Sequence, residues 1–389
     1  MRVATFLLLS TAVALAGPKP GDEGTPEFQK ATDLVKQLGH PRYATREAAG
    51  KQLIEMGPAA VPALLAGTKA IDEEVRNRSI AILPVAKAAE WKRRADAYLA
   101  DADGKQRHDL PLLADWEKLV GKPDAGSRKL FADIVRTNGE FLDKVAGNRA
   151  GAPSEIAARV RNLHAQVKGP KGQIKADVAD LAAVLFADSV VPPRRFDWSA
   201  RPFAAQLLAN PTFPEALDAK DTGPILRRLL IKWVEARPAR DHMALQQFAS
   251  LAQKKPFPEA AGPLAKMAKD RQADVLSVRL VAVQALAKVG GPEAASALAD
   301  LVPDQTQAFG GGTDDYRLGD SALAASVQMH GKRLADFGLT NTVHIGFSTG
   351  DDDDAIMLQL HGFRTQDARA KAVEKWKKEL VEKKAEPKK

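Results

Sequence analysis

The chain of 389 residues has no cysteine. That excludes a disulfide framework, a thiolate metal site and lipid attachment at a cleavage-site cysteine. Beyond its first sixteen residues it has no apolar run near the ~20 residues that a membrane-spanning helix requires. The alternation of strands and helices that would build a parallel sheet is also missing. The formal net charge of +8 does not describe a basic body, because between Arg364 and Lys389 ten Lys or Arg stand against five Asp or Glu. A nucleic-acid groove would need its cations distributed along the body, so no nucleic-acid partner is expected.

The first sixteen residues, MRVATFLLLSTAVALA, carry one basic residue, an apolar run from Val3 to Ala16 and the small-residue signature Ala14-Leu15-Ala16. This pattern predicts a secretory signal peptide cut before Gly17. The run is too short for an anchor and is interrupted by Thr5, Ser10 and Thr11. The expected location is therefore periplasmic or extracellular. The Gly/Pro/Lys segment 17–24 reads as a disordered linker. Thr25 then serves as an N-cap, Pro26 suits the first helical position, and Phe28, Ala31, Val35 and Leu38 recur at helical spacing.

Three segments superimpose: TREAAGKQLIEMG from Thr45, VRNRSIAILPVAK from Val75 and VRLVAVQALAKVG from Val278. Registering Arg46, Arg76 and Arg279 aligns Ala49, Ser79 and Ala282 three residues on, and Leu53, Leu83 and Leu286 seven residues on. Gly57 and Gly290 follow eleven residues after their arginines, and Pro58 or Gly291-Pro292 restarts a helix. In the third segment Val275, Val278, Ala282, Leu286 and Val289 form one apolar face, and Leu276, Leu280, Val283 and Ala287 a second. Ser277, Gln284 and Lys288 share only a narrow polar stripe. A helix apolar over most of its circumference must be covered on two sides, as stacking between helix pairs provides.

On these residues the chain resembles the short HEAT repeats of about 30 residues. Thr45 stands where those repeats carry Val, and Pro84 interrupts the second segment. The resemblance covers roughly 30–100 and 259–302. It implies an all-α fold, an irregular α-solenoid of HEAT-like helix pairs. It also implies a structural ladder in which Arg46, Arg76 and Arg279 bond an Asp or carbonyls at a neighbouring repeat's turn. Asp72 or Glu73 beside Arg76, and Asp270 or Asp274 beside Arg279, are the available acids.

The expected organisation is a signal at 1–16, a linker at 17–24, N-terminal repeats at 25–100, an irregular helical region at 101–220 and a C-terminal HEAT-like region at 221–338. A hairpin or loop insertion follows at 339–363, then a basic helix and tail at 364–389. TVHIGFS and AIMLQLHGF around TGDDDD predict a small β-hairpin, and VPDQTQAFGGGTDDYRLG reads as a joint. Ala368, Ala372, Trp376 and Leu380 form a stripe expected to cap the stack.

Few residues suggest chemistry. Gly346-Phe347-Ser348-Thr349-Gly350 matches a nucleophile elbow, but only His361 follows it and the parallel sheet is lacking. A hairpin turn accounts for the motif, leaving Ser348 as a minor catalytic candidate. Asp351, Asp352, Asp353 and Asp354 offer oxygen ligands for a cation. An EF-hand loop counted from Asp351 would need Gly and Glu where Ile356 and Gly362 stand, so a solvated acidic turn is the better reading. His330, His344 and His361 have no zinc-ligand spacing.

Gly310-Gly311-Gly312 lacks the Lys-Ser/Thr of a phosphate loop. Phe196, Trp198 and Phe203 among Arg194, Arg195 and Arg201 pin an irregular segment or form a stacking patch. No metal or cofactor is expected. The reading is an exported, non-catalytic scaffold that binds protein partners. The alternatives are a hydrolase using Ser348 and a binder of anionic surfaces acting through 364–389.

Overall fold

The computed structural model describes residues 25–121, 123–165, 177–191, 208, 212–237, 241–271, 276–311, 314–347 and 356–381. The expected signal and linker, the aromatic and arginine cluster at 194–203, Ser348 and Asp351–Asp354 lie outside the described residues. Contacts divide the chain into two compact units, one ending at Ala97 and one beginning at Tyr98.

The first unit contains α1 (Pro26–Gln37), α2 (Tyr43–Met56), a 3-10 turn (Gly57–Ala60), α3 (Val61–Gly67) and most of α4 (Glu73–Ala100), whose last three residues belong to the second. Thr25 Oγ1 accepts the Phe28 amide at 3.2 Å and Pro26 opens α1. This cap satisfies a donor that the helix itself leaves unpaired. α1 packs on α2 and α3, so Ala31, Leu34, Val35 and Leu38 join Ala49, Leu53, Ala63 and Leu64 in one core. Burying each leucine stabilises the unit by about 1.5–3 kcal/mol. Gly67 permits close helix approach, since a Cβ there would collide with Val35 Cγ1 and Ser79 Oγ.

The turn between paired helices depends on one glycine. Gly57 ends α2 at φ 55°, ψ −116°, a conformation that side chains disfavour. Gly290 holds the same register at φ 69°, ψ −163°. The corresponding residue after Arg76 is Lys87, and here the chain does not turn. Instead α4 continues for 28 residues with Pro84 inside it. Pro84 gives up one ladder hydrogen bond without ending the helix. The second repeat is therefore a single long helix, not the pair expected from the sequence.

The second unit continues with α5 (Leu113–Val120), α6 (Ala125–Gly147), α7 (Ala152–Ala165), α8 (Val178–Val190), α9 (Thr212–Ala216) and α10 (Gly223–Glu235). The aromatic ring of Trp116 stacks on Phe131 at 5.3 Å and meets Phe186 edge-on at 5.2 Å. These contacts join α5, α6 and α8 around the buried α8, whose residues Leu181 to Ala187 are all closed to solvent. Next come α11 (His242–Lys254), α12 (Ala261–Lys269), α13 (Leu276–Val289) and α14 (Gly291–Leu301). α13 is covered by α11 and α12 and by α15 (Leu318–Met329). This is the two-sided cover demanded by its apolar faces, and it buries even Ser277 and Arg279.

The expected hairpin is present as β3 (Asn341–Phe347) paired antiparallel with β4 (Ile356–Gly362). The expected joint contains a second antiparallel ribbon, β1 (Gln307–Gly311) and β2 (Asp314–Arg317). Its strands are short and glycine-rich, so period-two hydrophobicity had little length over which to appear. The ring of Phe309 faces Tyr316 across the pair, and a bridge from Asp315 to Phe363 joins the ribbons. The protein is thus mostly helical, with paired-helix, solenoid-like packing and small antiparallel hairpins towards its C-terminus.

The last helix, α16 (Gln366–Trp376), runs into a π-helical turn at Lys377–Val381. Its buried edge is Arg369, Ala372 and Trp376, whereas Ala368 is exposed. The apolar spacing chose the wrong first residue because Arg369 turns inward to pair with Asp320.

Candidate interaction surface

Arg46 and Arg76 use one geometry. Arg46 Nη1 donates to the carbonyls of His40 and Pro41 at 2.9 and 3.1 Å. Arg76 Nη1 donates to those of Ala70 and Ile71 at 3.0 and 3.3 Å. In both, the acceptors lie six and five residues upstream, so each arginine clamps the turn that enters its own helix. Arg46 also places Nε 3.1 Å from Glu74 Oε1 on α4. Asp72 does another job, since its Oδ1 accepts the Val75 amide at the start of α4.

Arg279 is tied differently. Its Nε donates to the Ala268 carbonyl at 2.8 Å, and its Nη2 to Asp304 Oδ2 at 2.7 Å. The acid is thus Asp304, beyond α14; Asp270 is not the acid Arg279 bonds, and Asp274 lies outside the described residues. Burial alone would raise the Asp304 carboxyl. The Thr306 hydroxyl and amide and the Arg279 guanidinium outweigh it and hold the group at about 2. A charge this enclosed is tolerable only with such partners.

The other enclosed ionic groups are also internal ties. Arg369 donates through Nε and Nη2 to both carboxylate oxygens of Asp320, while Trp376 Nε1 donates to Ser326 Oγ at 2.9 Å. Asp101 accepts the amides of Lys105 and Gln106 and contacts His108 Nε2 at 2.9 Å. The Gln106 amide, then the His108 ring, hold the Asp101 carboxyl at about 2. An aspartate so occupied orders its loop.

Among the histidines, His330 Nδ1 lies 2.7 Å from the Ser326 carbonyl at the end of α15. His361 is buried, with Nδ1 3.2 Å from Thr342 Oγ1. His344 is exposed on the same hairpin face, because Thr342 pairs with His361 and His344 with Gln359. Among the described residues no group of three or more His, Asp or Glu is placed to hold a metal ion. A cleft of about 690 Å³ opens beside α16, walled by Val302, Pro303, Ala370, Val373 and Trp376. No hydroxyl, thiol or imidazole lines it among the described residues. It can accept apolar groups.

A surface with no counterpart elsewhere in the repeats lies on α4. Ile80, Ala81, Pro84, Val85 and Ala88 are all exposed, and their three- and four-residue steps place them on one helical face. Ile80 is 53% and Val85 46% exposed. Six of the seven large apolar side chains exposed among the described residues belong to this first unit. Register shows why α4 differs. Ile80 corresponds to Gly50 and Val283, both buried, while Val85 corresponds to Glu55 and Lys288, both exposed and charged. Among the described residues of the first unit, α4 thus lacks both the cover and the polar stripe of its counterparts. The sequence signal was the lysine at 87 followed back through the uncharged run Ser79–Ala86.

Comparison with protein-family models, with curated proteins and with solved structures finds no match for the chain. Among the described residues no helix is long and apolar enough to cross a membrane.

Proposed function

We propose that the chain is an exported, non-catalytic scaffold of HEAT-like helix units that binds protein partners. The observation that carries this reading is the uncovered apolar stripe of α4. Apolar patches on a surface mark interaction sites more often than scattered single residues do. The enclosed ionic groups support it, since Arg279, Asp304, Arg369, Asp320 and Asp101 are engaged with neighbouring elements. The shared Arg46 and Arg76 clamp supports the HEAT-like assignment, and the pattern of residues 1–16 supports export.

The test is cross-linked capture from the native cell envelope with the chain beginning at Gly17 as bait. Reproducible recovery of the same extracytoplasmic protein is the expected result. The reading is overturned if nothing is recovered while the purified protein turns over esters or peptides and a fluorophosphonate label depends on Ser348.

A further inference from the structure

The α4 stripe also indicates what covers it. In the first unit the face of α2 around Gly50 is roofed by α4, where a Cβ on Gly50 would lie 3.3 Å from Ile82 Cδ1. In the second unit, Val283 on α13 occupies the same register and is fully buried, and α15 packs on that helix. Ile80 repeats this position one repeat after Gly50. The stripe is therefore the α2–α4 interface continued by one repeat, and no described helix of the first unit covers it.

The two sides of the first unit are not equivalent. The exposed residues of α1 include Glu27, Gln29, Lys30, Asp33 and Lys36, a polar surface of the kind that ends a repeat stack. α4 presents aliphatic knobs, Ile80 and Val85, between the small residues Ala81 and Ala88. Such a surface interdigitates with another helix. A head-to-tail contact with a second copy would set it against the polar α1.

We infer that the α4 stripe docks an amphipathic helix of a partner protein, packed as the next helix of the repeat stack. The chemistry of that helix follows from the edge with which α4 roofs the first pair: Val75, Ser79, Ile82 and Ala86. It carries aliphatic and small residues at three- and four-residue steps with no charge on that edge. This deepens the scaffold reading above and rests on it.

The probe is a fluorescent peptide of residues 73–90 bearing Ile80→Lys, Pro84→Ala and Val85→Lys, so that only the roofing edge stays apolar. Saturable binding to the full chain from Gly17 is expected, weakened at least ~10-fold by Ile80→Asp with Val85→Asp in the protein. Ile82→Asp in the peptide should have a similar effect. Circular dichroism establishes that the doubly substituted protein remains folded, and the milder Val85→Ser provides a second variant. No binding, or equal binding to both proteins, overturns the inference. So does a concentration-dependent dimer lost in the double variant, which would assign the stripe to a second copy. If envelope capture persists unchanged in the double variant, the scaffold reading stands and this docking site falls.

Discussion

Arg279 and Asp304, 25 residues apart, meet with Nη2 2.7 Å from Oδ2, and only 4% and 5% of their side chains are accessible. The pair joins α13 to the segment beyond α14. Among the described residues, removing Arg279 would leave the enclosed Asp304 carboxylate with only Thr306 and the more distant, solvent-exposed Arg271 at 3.6 Å. We expect Arg279→Ala to destabilise the protein by about 3–5 kcal/mol, read as a lower urea midpoint. Arg46→Ala, at a more accessible site bonded to two carbonyls, should lose about 1 kcal/mol. Equal losses would contradict the distinction drawn between the two kinds of arginine.

The same pair predicts an acid dependence. The Asp304 carboxyl is depressed to about 2 in the folded protein, against an ordinary value of 3.8. A depressed carboxyl contributes stability above its unfolded value and loses it as pH falls through the folded one. That contribution, about 2 kcal/mol, should disappear between roughly pH 4 and pH 2. Asp304→Asn should be less stable at pH 6 and show a shallower decline on acidification, followed by denaturant titration at each pH.

His361 acts over a higher range. Burial first, and His344 second, push its imidazole below the usual 6.5. The folded state therefore favours the neutral ring, and stability is lost as pH drops below that of the unfolded chain. Wild-type unfolding free energy should decline between roughly pH 7 and pH 5, and His361→Gln should flatten that segment. An unchanged slope would rule out this histidine as its source.

Gly57 provides a backbone test. At φ 55°, ψ −116° it ends α2 where a side chain would be strained. Gly57→Ala should cost about 1–3 kcal/mol and expose the 56–61 turn to limited proteolysis. Wild-type stability and an uncut turn in the variant would show that another residue sets the reversal.

Much of the helical architecture was legible because it depends on local periodicity. Thr25 and Pro26 announced α1, and Gly57 and Gly290 marked real reversals. The small number of polar positions in 276–289 already required cover on both sides of α13. The ribbon at 307–317 was obscured because its strands are only five and four residues long. The candidate surface was half visible: its residues lie in a plain uncharged run, but exposure is not a property of one helix.

The sequence by itself determined where α1 begins, where α2 and α13 end and that α13 is apolar on two faces, because capping, glycine conformation and side-chain spacing act over a few residues. Only the tertiary structure decided the partners. It brought Asp304, 25 residues away, to Arg279 and turned Arg369 inward to Asp320. It also left Ile80 exposed where Gly50 and Val283 are covered. Such outcomes depend on which surfaces meet across long chain separations, and local spacing carries no record of that.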